Sequence, residues 1–554
     1  MNARQTRAAR VQEHAYSRRW LILAVLCFSL LVIVLDNSIL NVAIPTIVRD
    51  LGVTQSQIQW IIDSYTLVFA GLLLTAGSLG DRFGRRGALQ IGLILFGLGS
   101  LGATFVASAN GLIGIRAFMG IGGAAIMPAT LSIITNVFPG HERGKAIGIW
   151  AGTAGIGGAL GPLVGGMLLQ HYSWQSVFYV NLPIVTIGLI AGVFLIPTSK
   201  DPSAPRLDPV GAALSIAALF TLLWSLIQAP TEGWTSQKTL GGLAIGSLLM
   251  LAFVMWELHS SHPMLDMKLF RNARFTAANT SITFVFFAMF GSMFLITQYL
   301  QFVIGYTPLQ TGIRMVPFSL AMMVVAPNST RVVKKFGTKI TVAAGMGGVT
   351  FGLILLSFLT ADSSYFSIAS RMMCLAAGMG LVMAPATESV MSSLPLAKAG
   401  VGSAVNDTTR QMGGALGVAV IGSVLASIYT TKLVTFFQST KLSGLFPGGV
   451  VPAQFKTFAL GGIGTATSAA ANLRADNPFP GSGVAADLLE SASRAAYVDG
   501  MRVGMRVAAG VAVIGVLVAA KYLPARTSAA DESRQADELA AEYERSGINK
   551  ALAD

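Results

Sequence analysis

Asp36 stands well inside the apolar run Trp20–Ala43, where an ionised carboxylate is costly and has to find a partner or a proton. A carboxyl that trades its charge for a proton there is suited to carrying protons or to binding a cationic molecule. It could equally make a fixed hydrogen bond that braces the run against a neighbour. Arg116 lies early in another apolar run, Leu112–Val137. Its guanidinium could reach the headgroups, or pair with a buried acid and change that acid's proton affinity. Asp407 and Arg410 are three residues apart, so on a helix they share a face and can pair. Such a pair is either static or part of proton coupling. Asp63, in Trp60-Ile-Ile-Asp-Ser-Tyr-Thr66, is either a further coupling acid or a helix cap. Tyr65, Trp150 and Phe286 are candidate liners of a binding pocket, with Asp36 as its charged group.

A different chemistry is written in Gly77-Ser-Leu-Gly-Asp-Arg-Phe-Gly-Arg-Arg86, a short polar stretch between two apolar runs. Arg82, Arg85 and Arg86 mark a cytoplasmic loop. Gly77 and Gly80 suit close backbone approach, and Gly84 belongs with the loop's gating residues. Asp81 is not needed for topology, so a gating role is expected for it with its arginines. Gly157, Gly161, Gly165 and Gly166, with Pro162, form small-residue ridges on one run. They provide either packing alone or a surface that slides during a conformational cycle.

The elements that position these residues are membrane helices. Of the 554 residues, 53% are hydrophobic and 11% charged, against about 25% charged in soluble domains. Mean hydropathy is +0.65. About fourteen apolar segments reach spanning length, from Trp20–Ala43 to Gly500–Tyr522. The fold class expected is an all-α polytopic membrane protein. Basic residues gather in alternate short loops (Arg82, Arg143, Lys145, Lys268, Arg274, Lys334, Lys335 and Lys398 among them), which puts both termini in the cytoplasm. The five arginines from Arg4 to Arg19 precede a retained first helix, since no small-residue cleavage site follows.

The net charge of +13 does not indicate nucleic acid, because the basic residues are spread over these loops. Cys27 and Cys374 fall in apolar runs, and His14, His141, His171, His259 and His262 fall in loops or the tail, so no metal site or cofactor is expected. No ATP-binding G-x-x-x-x-G-K-[ST] occurs, and no enzyme activity is expected. A membrane sensor or enzyme is the alternative of another class.

A repeat is visible. Asp81-Arg-Phe-Gly-Arg-Arg86 aligns with Lys334-Lys-Phe-Gly-Thr-Lys339, and Arg116 with Pro128 has an echo in Arg371 with Pro385. Two similar six-span halves around a central path follow from it. The expected organisation is a tail over 1–19, a six-helix bundle over 20–198, and a linker with two extra spans over 199–262. A second six-helix bundle occupies 263–523, with a partly flexible outer loop at 429–499, and a tail covers 524–554.

These motifs resemble the major facilitator superfamily, and within it the fourteen-span drug:proton antiporters. Gly77–Arg86 is similar to motif A. Leu112-x-x-x-Arg116-x-x-x-Gly120 is similar to motif B, and Gly157-x-x-x-Gly161-Pro162-x-x-Gly165-Gly166 to motif C. Leu35-Asp36 through Pro45 and Gly402 through Gly414 resemble the first and thirteenth helices of those exporters. Lys334 replaces the acid of motif A in the second half. The resemblance implies a major facilitator fold of two six-helix bundles plus two additional transmembrane helices. It implies a proton-coupled multidrug efflux antiporter in the plasma membrane, exporting amphipathic or cationic small molecules. An endogenous lipid, a siderophore or a self-made antibiotic is the alternative cargo. The expected partners are the small-molecule substrate, protons and the lipid bilayer, with the chain acting as a monomer.

Overall fold

The computed structural model describes residues 16–51, 55–199, 208–394, 398–438, 445–446, 451–476 and 480–524. The two tails, up to 15 and from 525, and most of the loop after residue 199 lie outside the described residues.

In a bilayer every backbone N–H and C=O needs an internal partner, so a chain this apolar folds as helices. Helices α1 (Arg19–Leu51), α2 (Gln55–Phe83), α3 (Arg85–Ala103), α4 (Ala109–Val137) and α5 (Gly140–His171) lead to a short α6 (Ser176–Tyr179) and α7 (Asn181–Leu195). Helices α8 (Pro209–Glu232) and α9 (Gln237–His259) form the inserted pair. The second half holds α10 (Ala273–Gln298), α11 (Pro308–Leu356), α12 (Tyr365–Met391) and α13 (Ala399–Phe437). Two short helices, α14 (Ala453–Leu460) and α15 (Ile463–Asp476), precede the last long one, α16 (Ser482–Tyr522). Among the described residues there is no strand.

The starts of several helices are set by their sequence. Ser108, Asp208, Ser236, Asn272 and Ser364 each accept a hydrogen bond from a backbone N–H in the first turn that follows. Thr307 and Gln310 close a capping box around Pro308. Thirteen helices among the described residues are long and apolar enough to cross a membrane. One of them, α11, has 49 residues. At 1.5 Å per residue it would be about twice as long as a bilayer's hydrocarbon core is thick. It is broken inside at Gly337, which has φ 82° and ψ 165°. Gly84 breaks the chain between α2 and α3 with φ 119°. The two glycines are the aligned pair of the repeat, 253 residues apart (Gly337 against Gly84), and both take a backbone conformation that suits glycine alone.

One apolar core joins helices of both halves. The halves meet where α5 packs along α11 and where α13 packs on α2 and α4. Helix α8 docks on α2 and α13, so the inserted pair lies over the seam between the halves. Trp234 at the tip of the pair donates its Nε1–H to Ser423 Oγ at 2.6 Å. Outward-facing side chains of α3 and α9, such as Ile91, Leu98, Leu248 and Leu251, are exposed and apolar, as a lipid-facing surface requires. The chain is a multi-pass membrane protein.

The expected outer loop at 429–499 is largely helical where it is described; residues 439–444, 447–450 and 477–479 lie outside the described residues. Helix α13 continues to Phe437, α16 begins at Ser482, and α14 and α15 lie between them. Tyr429, Leu433, Phe446, Ala466 and Leu489 are buried in the main core. Arg474 of α15 reaches both Asp487 and Glu490 of α16 at 2.6 Å. Small residues let these helices approach closely.

Candidate functional site

The buried polar groups gather in three places, and the first lies inside the N-terminal half. Arg116 of α4 donates Nη1–H to Asp36 Oδ2 of α1 and Nη2–H to Asn37 Oδ1 at 3.2 Å. Its Nε–H reaches the Ile61 carbonyl at 3.3 Å. The other carboxylate oxygen, Asp36 Oδ1, accepts from Asn181 Nδ2 at 2.8 Å, and the same amide donates to Ser100 Oγ at 3.1 Å. The Tyr65 ring lies under the guanidinium, 4.4 Å from its centre. Asp36 is 3% exposed and Arg116 fully buried. Arg116 therefore does not extend to the headgroups; it is the counter-charge of Asp36. Removing one member of a buried pair leaves the other uncompensated, at a cost of about 3–5 kcal/mol. Tyr65 is buried as part of this cluster. Asn181 is absent from the sequence reading, although an amide at the head of an apolar run was a signal. Asp63 is the ninth residue of α2, which starts at Gln55, so it does not cap the helix.

The second place joins the halves at one end of the bundle. Asp81 Oδ1 accepts from the Gly400 N–H at 2.9 Å, and Oδ2 from the Val401 N–H at 3.0 Å. These are unpaired donors of the first turn of α13, where the helix dipole favours an anion. Arg85 holds the carboxylate from behind, with Nε to Oδ1 at 2.8 Å. Both side chains are buried. Gly77, one turn earlier on α2, has no room for a side chain: an added Cβ would lie 2.6 Å from the Gly400 carbonyl oxygen. Arg82 stacks on Phe83, and Arg86 Nη1 donates to the Ile196 carbonyl at 3.4 Å. Near this end α12 contributes Glu388, within electrostatic reach of Arg143 on α5 and Arg274 on α10. Glu388 is a further acid inside an apolar run that the sequence reading passed over.

Helix α5 carries two glycine faces. Gly157, Gly161 and Gly165 face α1: added Cβ atoms would meet Val34, Ser38 and Ile39. These three therefore pack within one half. The face toward α11 of the other half is Gly144, Gly148, Gly152, Gly155 and Gly166, against Thr330, Ala326, Met323, Met322 and Leu309. Ser319 Oγ donates across this seam to the Gly155 carbonyl at 2.8 Å. Of the four α5 glycines singled out in sequence, Gly166 alone faces the other half. Helix α5 runs through Pro162, whose side chain lies outside the described residues.

The third place is at the seam. Arg410 of α13 lies between the rings of Trp150 on α5 and Phe286 on α10, 4.9 and 5.3 Å from their centres. Its Nη2 donates to Thr387 Oγ1 at 2.9 Å, and Nη1 reaches Asp407 Oδ1 at a long 3.4 Å. Trp150 donates its Nε1–H to Thr130 Oγ1 at 3.2 Å. Trp150, Phe286, Asp407 and Arg410, chosen separately from the sequence, are thus brought into one cluster, with Trp150 from the other half.

Two helical bundles that meet along glycine faces, with buried ion pairs inside them and hydrogen bonds between them, have the architecture of an alternating-access membrane transporter. The comparisons agree: the chain belongs to the Major Facilitator Superfamily, which it matches over residues 26–418. It is 34% identical over 506 residues to the multidrug efflux pump LfrA of Mycolicibacterium smegmatis, covering 90% of this chain and 96% of that protein. It is 31% identical over 508 residues to a tetracenomycin C resistance and export protein of Streptomyces glaucescens, covering 91% of each. Among solved structures the fold is like that of the proton:xylose symporter XylE, with a TM-score of 0.57 at 14% identity, over 94% of this chain and 99% of that one.

Proposed function

We propose that this protein exports amphipathic or cationic small molecules across the plasma membrane in exchange for protons. The observation that carries the reading is the Asp36–Arg116 pair, an acid deep in a membrane helix whose counter-charge lies in the same bundle. A proton arriving at Asp36 releases Arg116 from its partner. The rearrangement of that cluster is a local event that a transport cycle can use. Asp63 is the second candidate carrier. Kinship with a multidrug efflux pump supports export, and kinship with an antibiotic export protein keeps an antibiotic within the cargo range.

In this reading the chain crosses the membrane fourteen times, α11 twice, with the turn at Gly337 on the same side as the Asp81 loop. The basic residues around both turns support a cytoplasmic location for that side. The Asp81 contacts then hold the cytoplasmic end shut, and the cycle breaks and remakes them. The test is efflux of a cationic dye from proteoliposomes with and without a proton gradient. Gradient-independent dye movement, or none, would refute the reading.

A further inference from the structure

We infer that Trp150, Phe286 and Asp407 form the seat for the charged group of the cargo, and that Arg410 occupies this seat as a tethered competitor when no cargo is bound. The inference rests on the export reading above and adds the site to it.

Four observations lead there. A guanidinium held between two aromatic faces is in the arrangement that also binds organic cations. Arg410 is only loosely paired with its own acid: the contact to Asp407 Oδ1 is 3.4 Å long, Asn406 Nδ2 donates to the same oxygen at an equally long 3.4 Å, and Asp407 Oδ2 is buried with no hydrogen-bond partner. A buried carboxylate oxygen left without a donor is suited to a second cation. The seat is also split between the halves, since Trp150 stands on α5 and the other members on α10 and α13. A motion that parts α5 from these helices opens it. The site can therefore be assembled and dismantled by the same movement that exposes it to one side or the other. Finally, Arg410 cannot leave with the cargo. Its return to the rings helps expel a bound cation and keeps Asp407 compensated while the transporter resets.

Ethidium, a planar aromatic cation, is the probe, with binding measured by fluorescence on purified protein. Arg410→Ala removes the competitor. Its dissociation constant for ethidium should fall about tenfold or more, on the scale of one desolvated cation–π contact. Guanidinium ion should compete in Arg410→Ala but not in the wild type, because it refills the vacated place. Trp150→Ala should weaken ethidium binding about tenfold, and Trp150→Phe should restore part of it. Unchanged or weaker binding in a folded Arg410→Ala protein overturns the inference. Should that variant not fold, Trp150→Ala decides alone, and an unchanged constant there is equally fatal. Wild-type protein that extrudes ethidium while both variants bind it as before refutes the seat and leaves export standing. Wild-type protein that neither binds nor extrudes it refutes both.

Discussion

Replacing Asp81 by Asn should shift the balance between the two states of the transporter without unfolding it. The magnitude follows from separating contacts that persist through the cycle from those that break. Arg85 is four residues from Asp81 within the same half, so in the proposed cycle their pair is carried along unbroken. The bonds to Gly400 and Val401 join different halves, so in the proposed cycle they break when this end opens. A hydrogen bond to a charged group contributes about 1.5–3 kcal/mol. Asn keeps one acceptor, so one such bond is lost and the other becomes neutral. The anion's interaction with the end of α13 adds about 0.3–2 kcal/mol. The closed end therefore loses about 2–5 kcal/mol, roughly a 30- to 4,000-fold change in the ratio of states.

Spin labels at His141 and Lys335, both exposed and on opposite halves near this end, read that ratio as a distance distribution in nanodiscs. Wild-type protein should show one short distance. Asp81→Asn should add a longer one and slow dye efflux in proteoliposomes. A variant with wild-type distances and wild-type efflux would show that the Asp81 contacts do not bias the cycle.

Asp36→Asn should abolish gradient-driven efflux while expression holds, and Asp36→Glu should keep part of it with a shifted pH profile. Proton release on substrate addition checks this, and wild-type release from Asp36→Asn would move the carrier to Asp63. The two faces of α5 should respond differently to substitution. Gly161→Val drives a side chain into Ser38 and should lower thermal stability by about 1–3 kcal/mol. Gly148→Val meets Ala326 and Pro327 of the other half and should lower the efflux rate first, whereas Gly158→Ala, with open space at its Cβ, should be silent in both assays. Single cysteines at Ser108, Ser236 and Ser468 should label from outside the cell and one at Ser203 should not. Labelling at 203 from outside would reverse the topology.

The parts of the fold that were legible in the sequence are those set by local composition. Spanning segments follow from the length of apolar runs, and Gly84 and Gly337 were visible as a pair through the repeat. Asp36 and Arg116 were legible because charges inside apolar runs have few places to go. Asn181 was not, because a neutral amide costs far less in a membrane helix and its partner is set by tertiary packing. The two glycine faces of α5 have nearly the same spacing, so the sequence shows two ridges without saying which meets the other half. The helices within 429–499 were hidden for a related reason. Alanine, glycine and serine favour a loop by composition, but the same small residues suit helices packed closely over a bundle.

The two buried arginines differ in a way that bears on how transport is coupled. All the partners of Arg116 lie in the N-terminal half, so its cluster can move as one body and keep its geometry. Arg410 has one aromatic partner in each half, so any relative motion of the halves changes its surroundings. In the proposed cycle, protonation at Asp36 would alter a cluster that is insensitive to the motion, while cargo would act on one that is sensitive to it. For the two to be linked, a change at Arg116 must reach the seam. Helix α4, which carries Arg116, packs directly on α13, which carries Asp407 and Arg410. A shift of α4 when its arginine loses Asp36 would therefore be felt at the cargo seat through a single helix contact. On this view the asymmetry of the repeat is functional: the first half keeps the acid that takes the proton, and the second supplies the arginine that competes with the cargo.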